Sequence, residues 1–181
     1  MILLVSGTNR PGSQTLRVTK IFKRLYEQAG AQAEILDLQE LPHSLFQPSA
    51  YEKKPAEFVA INAKVLSSSG LVIVTPEYNG SFPGVLKYFV DMLQFPESFD
   101  KRPVAFVGLA AGMFGALRSV EQLELIFAYR NAFLFNERIF LPKVGSQLNE
   151  KDEFVVPLTE KLAKDQVTNF IRFCDALKPV R

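Results

Sequence analysis

A stretch near the start of the chain, Ser6-Gly-Thr-Asn-Arg-Pro-Gly-Ser-Gln-Thr15, combines four hydroxyls, one arginine and two glycines with no acidic side chain. Such a loop suits an anion. Ser13 stands where a helix N-cap is expected, and the amides that follow it have no helical acceptor and lie at the positive end of the helix dipole. Arg10 adds charge-assisted hydrogen bonds to the same group. A hydroxyl-rich turn that merely caps a helix accounts for Ser13, but not for Arg10 with Thr8 and Thr15 clustered around it.

Other phosphate loops fit less well. Gly7 and Gly12 have the glycine spacing of a P-loop, yet Ser13 occupies the place of its lysine, so the charge clamp of a nucleoside triphosphatase is lacking. The Gly-x-Gly-x-x-Gly dinucleotide fingerprint is absent, and without it Asp37 reads as a turn or capping residue and not as a ribose ligand. A phosphoacceptor receiver domain needs clustered acids at the ends of its first and third strands, where this chain has Ser6 and Thr75. A second loop, Thr75-Pro-Glu-Tyr-Asn-Gly-Ser-Phe-Pro-Gly-Val-Leu-Lys87, has its shape limited by two prolines and two glycines and carries an aromatic ring and an amide at Tyr78 and Asn79.

The elements that position these loops alternate. Residues 2–5 form a short apolar run of the kind buried on both faces of a sheet, and from Leu16 the apolar residues Val18, Ile21, Phe22, Leu25 and Ala29 recur at helical spacing up to Gly30. Strands are expected over residues 33–38, 71–75, 103–109 and 132–140. The matching helices cover residues 56–66, 84–93, 117–129 and 153–177. Five strands alternating with five helices imply an α/β architecture, a parallel sheet with helices on both faces, and a site beyond the carboxyl ends of the strands. The irregular segment 42–55, with Phe46 and Tyr51, is too apolar for a plain linker and suits a site rim or a subunit contact.

At 181 residues the chain suits one domain spanning residues 1–181. A formal net charge of +2 with interleaved basic and acidic residues gives no footprint for nucleic acid. Cys174, the only cysteine, excludes an intramolecular disulfide and a paired-thiolate metal site, and reads as a small packing residue. His43 is equally isolated. The longest apolar stretch, residues 106–117, is shorter than the roughly 20 residues of a membrane helix, and residues 1–6 carry no basic leader. A cytoplasmic protein without membrane partners is expected.

The chain resembles the NADPH-dependent FMN reductase family, which also contains quinone, azo-dye and chromate reductases. The resemblance rests on Gly7-Thr-x-Arg-x-x-Ser13 and, more specifically, on Thr75-Pro-Glu-Tyr-Asn-x-Ser-x-Pro-Gly-x-Leu-Lys87. It implies a flavodoxin-like three-layer sandwich with a five-stranded sheet. It also implies bound FMN, with NADPH or NADH as hydride donor and a small-molecule electron acceptor. The first loop would hold the FMN phosphate through Thr8, Arg10, Ser13 and the backbone near Gln14 and Thr15. Pro76, Glu77, Tyr78 and Asn79 would border the flavin ring, and the backbone at Gly112 would tune it.

No catalytic side chain is implied, because the flavin carries the chemistry. The family's habit of forming homodimers or homotetramers implies the same here. After the fourth strand the family pattern Gly-Gly-x-x-Gly-Gly-x-Arg reads Ala111-Gly-Met-Phe-Gly-Ala-Leu-Arg118. Alanine adds a methyl group near the flavin and resists positive φ at Ala111 and Ala116. Arg118 suits the additional phosphate of NADPH, or is a solvated arginine at a helix start. The rival readings are an electron-carrying flavodoxin and a flavin-free scaffold or sensor of the same fold.

Overall fold

The computed structural model describes residues 1–180. Continuous apolar runs form the strands β1 (Ile2–Ser6), β3 (Gly70–Pro76) and β4 (Pro103–Leu109), in which every residue is buried. β2 (Ala33–Asp37) is only half-buried and lies at one edge, and β5 (Phe133–Leu134) and β6 (Ile139–Leu141) share the other. All pairings are parallel, in the order β2-β1-β3-β4-β5 with β6 also on β4. The direction of winding reverses between β1 and β3, which opens a crevice beyond their carboxyl ends.

Period-two alternation sends neighbouring residues of each strand into different layers. Leu3, Val5, Leu71, Ile73, Val104 and Phe106 meet α2 (Ala56–Ser67), α3 (Gly84–Met92) and α4 (Leu117–Tyr129) on one face. Ile2, Leu4, Val72, Val74, Ala105 and Val107 meet α1 (Gln14–Gln28) and α5 (Pro157–Leu177) on the other. Each fully buried Val, Leu, Ile or Phe contributes about 1.5–3 kcal/mol. The expected three-layer, flavodoxin-like α/β sandwich is what the chain forms.

Two expectations need correction. The strand expected over residues 132–140 is broken: four residues, 135–138, lie between the pairs Val104–Leu134 and Val107–Ile139, where β4 has only Ala105 and Phe106. Gln166 of α5 fills the gap, its buried Nε2 donating to Phe106 O (3.1 Å) and Glu137 O (2.6 Å). The last helix starts at Pro157 and not at Glu153. Residues just before it are held extended, with Leu148 bridged to Phe154 and Val155 N donating to Gln147 O, and a proline at the first helical position has no amide to leave unpaired. Segment 42–55 contains two short 3-10 turns, and Phe46 and Tyr51 pack against Tyr88 of α3. None of its residues lines the crevice.

Candidate functional site

β1 delivers the first loop to the crevice at Gly7, whose amide donates to Val74 O at 2.8 Å. A Cβ on Gly7 would lie 2.7 Å from that carbonyl oxygen, so the loop passes β3 at a distance that only glycine permits. Thr8, fully buried, shares a 3.1 Å hydrogen bond with the Tyr78 hydroxyl, and its Oγ1 accepts from Arg10 N at 3.3 Å. Ser13 caps α1 as expected, its Oγ accepting from Leu16 N at 3.2 Å. The amides of Gln14 and Thr15 belong to the helix turn that has no internal acceptor. Gln14 Oε1 is engaged by Arg17 Nη1, which leaves its backbone as the group on offer. Among the described residues, the Arg10 guanidinium has no hydrogen-bonded or ionic partner.

β3 delivers the second loop. Tyr78 and Ser81 exchange both backbone hydrogen bonds around Asn79 (φ 54°) and Gly80 (φ 78°). Two successive positive φ values make this the Asn-Gly type of tight turn. Asn79 therefore shapes the turn and does not line the crevice. The loop is clasped from α4: Ser119 Oγ donates to Pro76 O (3.1 Å), Gln122 Nε2 donates to Gly80 O (3.2 Å), and Ser81 Oγ donates to Gln122 Oε1 (2.6 Å). Glu77 Oε1 accepts from Arg118 Nη1 at 2.9 Å, while Glu77 Oε2 is buried with no partner among the described residues.

The third loop follows β4 and folds back on the turn after β6. Val144 N donates to Ala110 O and Lys143 N to Gly112 O, each at 3.0 Å. Met113 and Phe114 are exposed, and Ala116, fully buried, takes φ 69° as the N-cap of α4. The left-handed conformation that alanine resists is therefore adopted, at a cost of about 1–2 kcal/mol.

Together these loops enclose a cleft of about 460 Å³, within the roughly 300–1,000 Å³ of cofactor sites. Arg10, Ser13, Gln14, Thr15, Pro76, Glu77 and Tyr78 line it, as expected from sequence. Thr8 stands behind Tyr78, and Asn79 and Gly112 lie outside the lining. Leu109, Ala110 and Val144 line it without having been foreseen. The first two were readable as the carboxyl end of a central strand; Val144 arrives through backbone bonds that leave no trace in sequence.

The donor set fits FMN. One end offers free amides, a serine cap and an unpaired guanidinium for a phosphate. The other offers an aromatic ring, apolar walls, and a buried carboxylate oxygen that lacks the kind of donor a flavin imide N–H supplies.

Comparison with known proteins agrees. The model of the NADPH-dependent FMN reductase family matches residues 1–145. An FMN-dependent NADPH-azoreductase of Staphylococcus saprophyticus is 29% identical over 180 residues, covering 94% of each chain. An NADPH-dependent FMN reductase of Pseudomonas aeruginosa is 29% identical over 153 residues, 84% of this chain and 77% of that one. An NADH:(hydroxy)cinnamate reductase subunit of Vibrio ruber is 30% identical over 125 residues, 68% of this chain, and the match spans only 60% of that subunit. Among solved structures, a flavoenzyme NAD(P)H:(acceptor) oxidoreductase of Paracoccus denitrificans superposes with a TM-score of 0.82 at 20% identity, over 97% of this chain and 96% of that one. That likeness concerns the fold. The match of the family model to most of the chain, including both loops of the cleft, makes this protein a member of the NADPH-dependent FMN reductase family.

Proposed function

We propose that the cleft binds FMN and that the protein is a reductase taking hydride from NADPH or NADH and passing it to a small diffusible acceptor: a flavin, a quinone, an azo compound or a metal oxyanion. The observation that carries this reading is the convergence of two loops on one cleft. An unpaired Arg10 beside the α1 N-terminus lies at one end, and Glu77 and Tyr78 lie at the other. When bound, FMN supplies the two-electron chemistry that joins the nicotinamide to the acceptor.

The chain's own residues position. Ser13, Arg10 and the amides of Gln14 and Thr15 hold the phosphate, with Thr8 fixing the loop from behind. Pro76, Glu77 and Tyr78 border the ring, and the Thr8–Tyr78 hydrogen bond keeps the two loops in register. Gly112, bonded to Lys143, anchors the third loop beside the ring. One open face of the site serves donor and acceptor in turn.

Two hydrophobic clusters packed on one sheet support residues 1–181 as a single domain. Exposed Leu125 and Tyr129 of α4, with Phe95, border an apolar groove of about 390 Å³ that supports assembly into a homodimer or homotetramer. No described helix is long and apolar enough to cross a membrane, and the supply of nicotinamide nucleotides supports a cytoplasmic site of action.

The deciding experiment is a visible spectrum after incubation with FMN and desalting, followed by NADPH without oxygen. Retained colour that bleaches is the expected result. Retained colour that persists would make the protein a carrier, and a colourless protein would overturn the cleft assignment.

A further inference from the structure

Arg118 lies just outside the cleft lining, bonded to the lining residue Glu77, and FMN binding leaves it unused. It sits in the first turn of α4 with half of its side chain exposed, and it is held on two sides. Its Nη1 donates to Glu77 Oε1 at 2.9 Å, and its guanidinium carbon lies 4.8 Å from the centre of the Phe114 ring. Nε and Nη2 have no hydrogen-bond partner among the described residues. Beside them Phe114 and Met113 are 59% and 68% exposed, forming an apolar shelf next to a pre-oriented cation.

We infer that Arg118 and Phe114 form the subsite for the adenosine 2′-phosphate of NADPH, and that this pair sets the preference for NADPH over NADH; the inference rests on the nicotinamide-dependent reading above. A guanidinium fixed at one nitrogen presents its remaining donors as a fork suited to phosphate, and an exposed aromatic ring suits a purine. The hydrogen bond to the largely buried Glu77 occupies one nitrogen and is kept, so the phosphate is met by Nε and Nη2. Arg10 lies on the loop after β1, at the other end of the cleft, and the guanidinium of Arg17 is engaged by Asp152, Gln14 and Asn149. Glu77 is the charged group that opposes the assignment, since its carboxylate repels the incoming phosphate. Its neutralisation therefore has the opposite sign to loss of Arg118.

The test measures kcat/KM for NADPH and for NADH on FMN-loaded protein, and calorimetric binding of adenosine 2′,5′-bisphosphate and of 5′-AMP. Arg118→Ala lowers the NADPH:NADH ratio about tenfold or more and weakens the bisphosphate by a similar factor relative to 5′-AMP, as loss of a charge-assisted phosphate contact requires. Arg118→Lys keeps part of the ratio, Glu77→Gln raises it, and Lys20→Ala, at an exposed cation of α1 outside the cleft lining, leaves it within about twofold. Equal losses for both nucleotides after Arg118→Ala, with 2′,5′-bisphosphate and 5′-AMP weakened alike, would overturn the inference and leave the reductase reading standing. A wild-type protein that oxidises neither nucleotide would remove both.

Discussion

The two ends of the cleft are built differently. At the end formed by the first loop Thr8, Ser13 and Thr15 are buried, and the chain is pressed against β3 so closely that Gly7 has no room for a Cβ. On the other side residues 111–114 of the loop after β4 are exposed, and Arg118, Ser119 and Gln122 of α4 hold the loop after β3. A socket tied to the central strands is suited to the resident FMN proposed above, and a side hung from a helix start, with an aromatic shelf and a half-engaged arginine, to the exchanging nucleotide.

The contrast is broken most severely at Gly7. Gly7→Val drives a side chain into Val74 O and should cost about 3 kcal/mol or more, lowering the melting temperature by about 6–12 °C and abolishing FMN retention. A variant of wild-type stability that keeps its flavin would show that the socket is not tied to β3 as described.

Arg10→Ala separates binding from folding. Its guanidinium has no hydrogen-bonded or ionic partner among the described residues, so the FMN-free melting temperature should be unchanged, while FMN affinity falls by about 2 kcal/mol, roughly thirtyfold. Fluorescence titration of FMN together with thermal unfolding checks both halves. A fall in FMN-free stability would mean that Arg10 supports the loop itself.

The rim should respond least. Ala116→Gly relieves a left-handed conformation worth about 1–2 kcal/mol, but it removes a buried methyl worth about 0.8 kcal/mol and loosens the unfolded chain by about 0.4–1 kcal/mol. The expected net change is below about 1 kcal/mol, read as a shift of at most about 4 °C. A larger gain would mark uncompensated strain at the start of α4, and with it a looser seat for Arg118.

Much of this was legible because it is local. The Asn79-Gly80 turn, the Ser13 cap, the apolar runs of β1, β3 and β4 and the helical spacing of α1 are each decided by φ preference, hydrogen-bonding reach or side-chain period within a few residues. The loops they join fall at the carboxyl ends of β1 and β3; alternation places a site beyond such ends, while the strand order that makes these two strands neighbours is a tertiary feature. Tertiary structure decided the rest, because each remaining feature depends on partners far apart in sequence. Gln166 interrupts the last sheet position by bonding Phe106, 60 residues away. Arg118, Ser119 and Gln122 clasp a loop 41–43 residues upstream. Val144 enters the cleft through Ala110, and Ala116 takes a conformation its residue type disfavours because the surrounding packing outweighs a cost of about 1–2 kcal/mol.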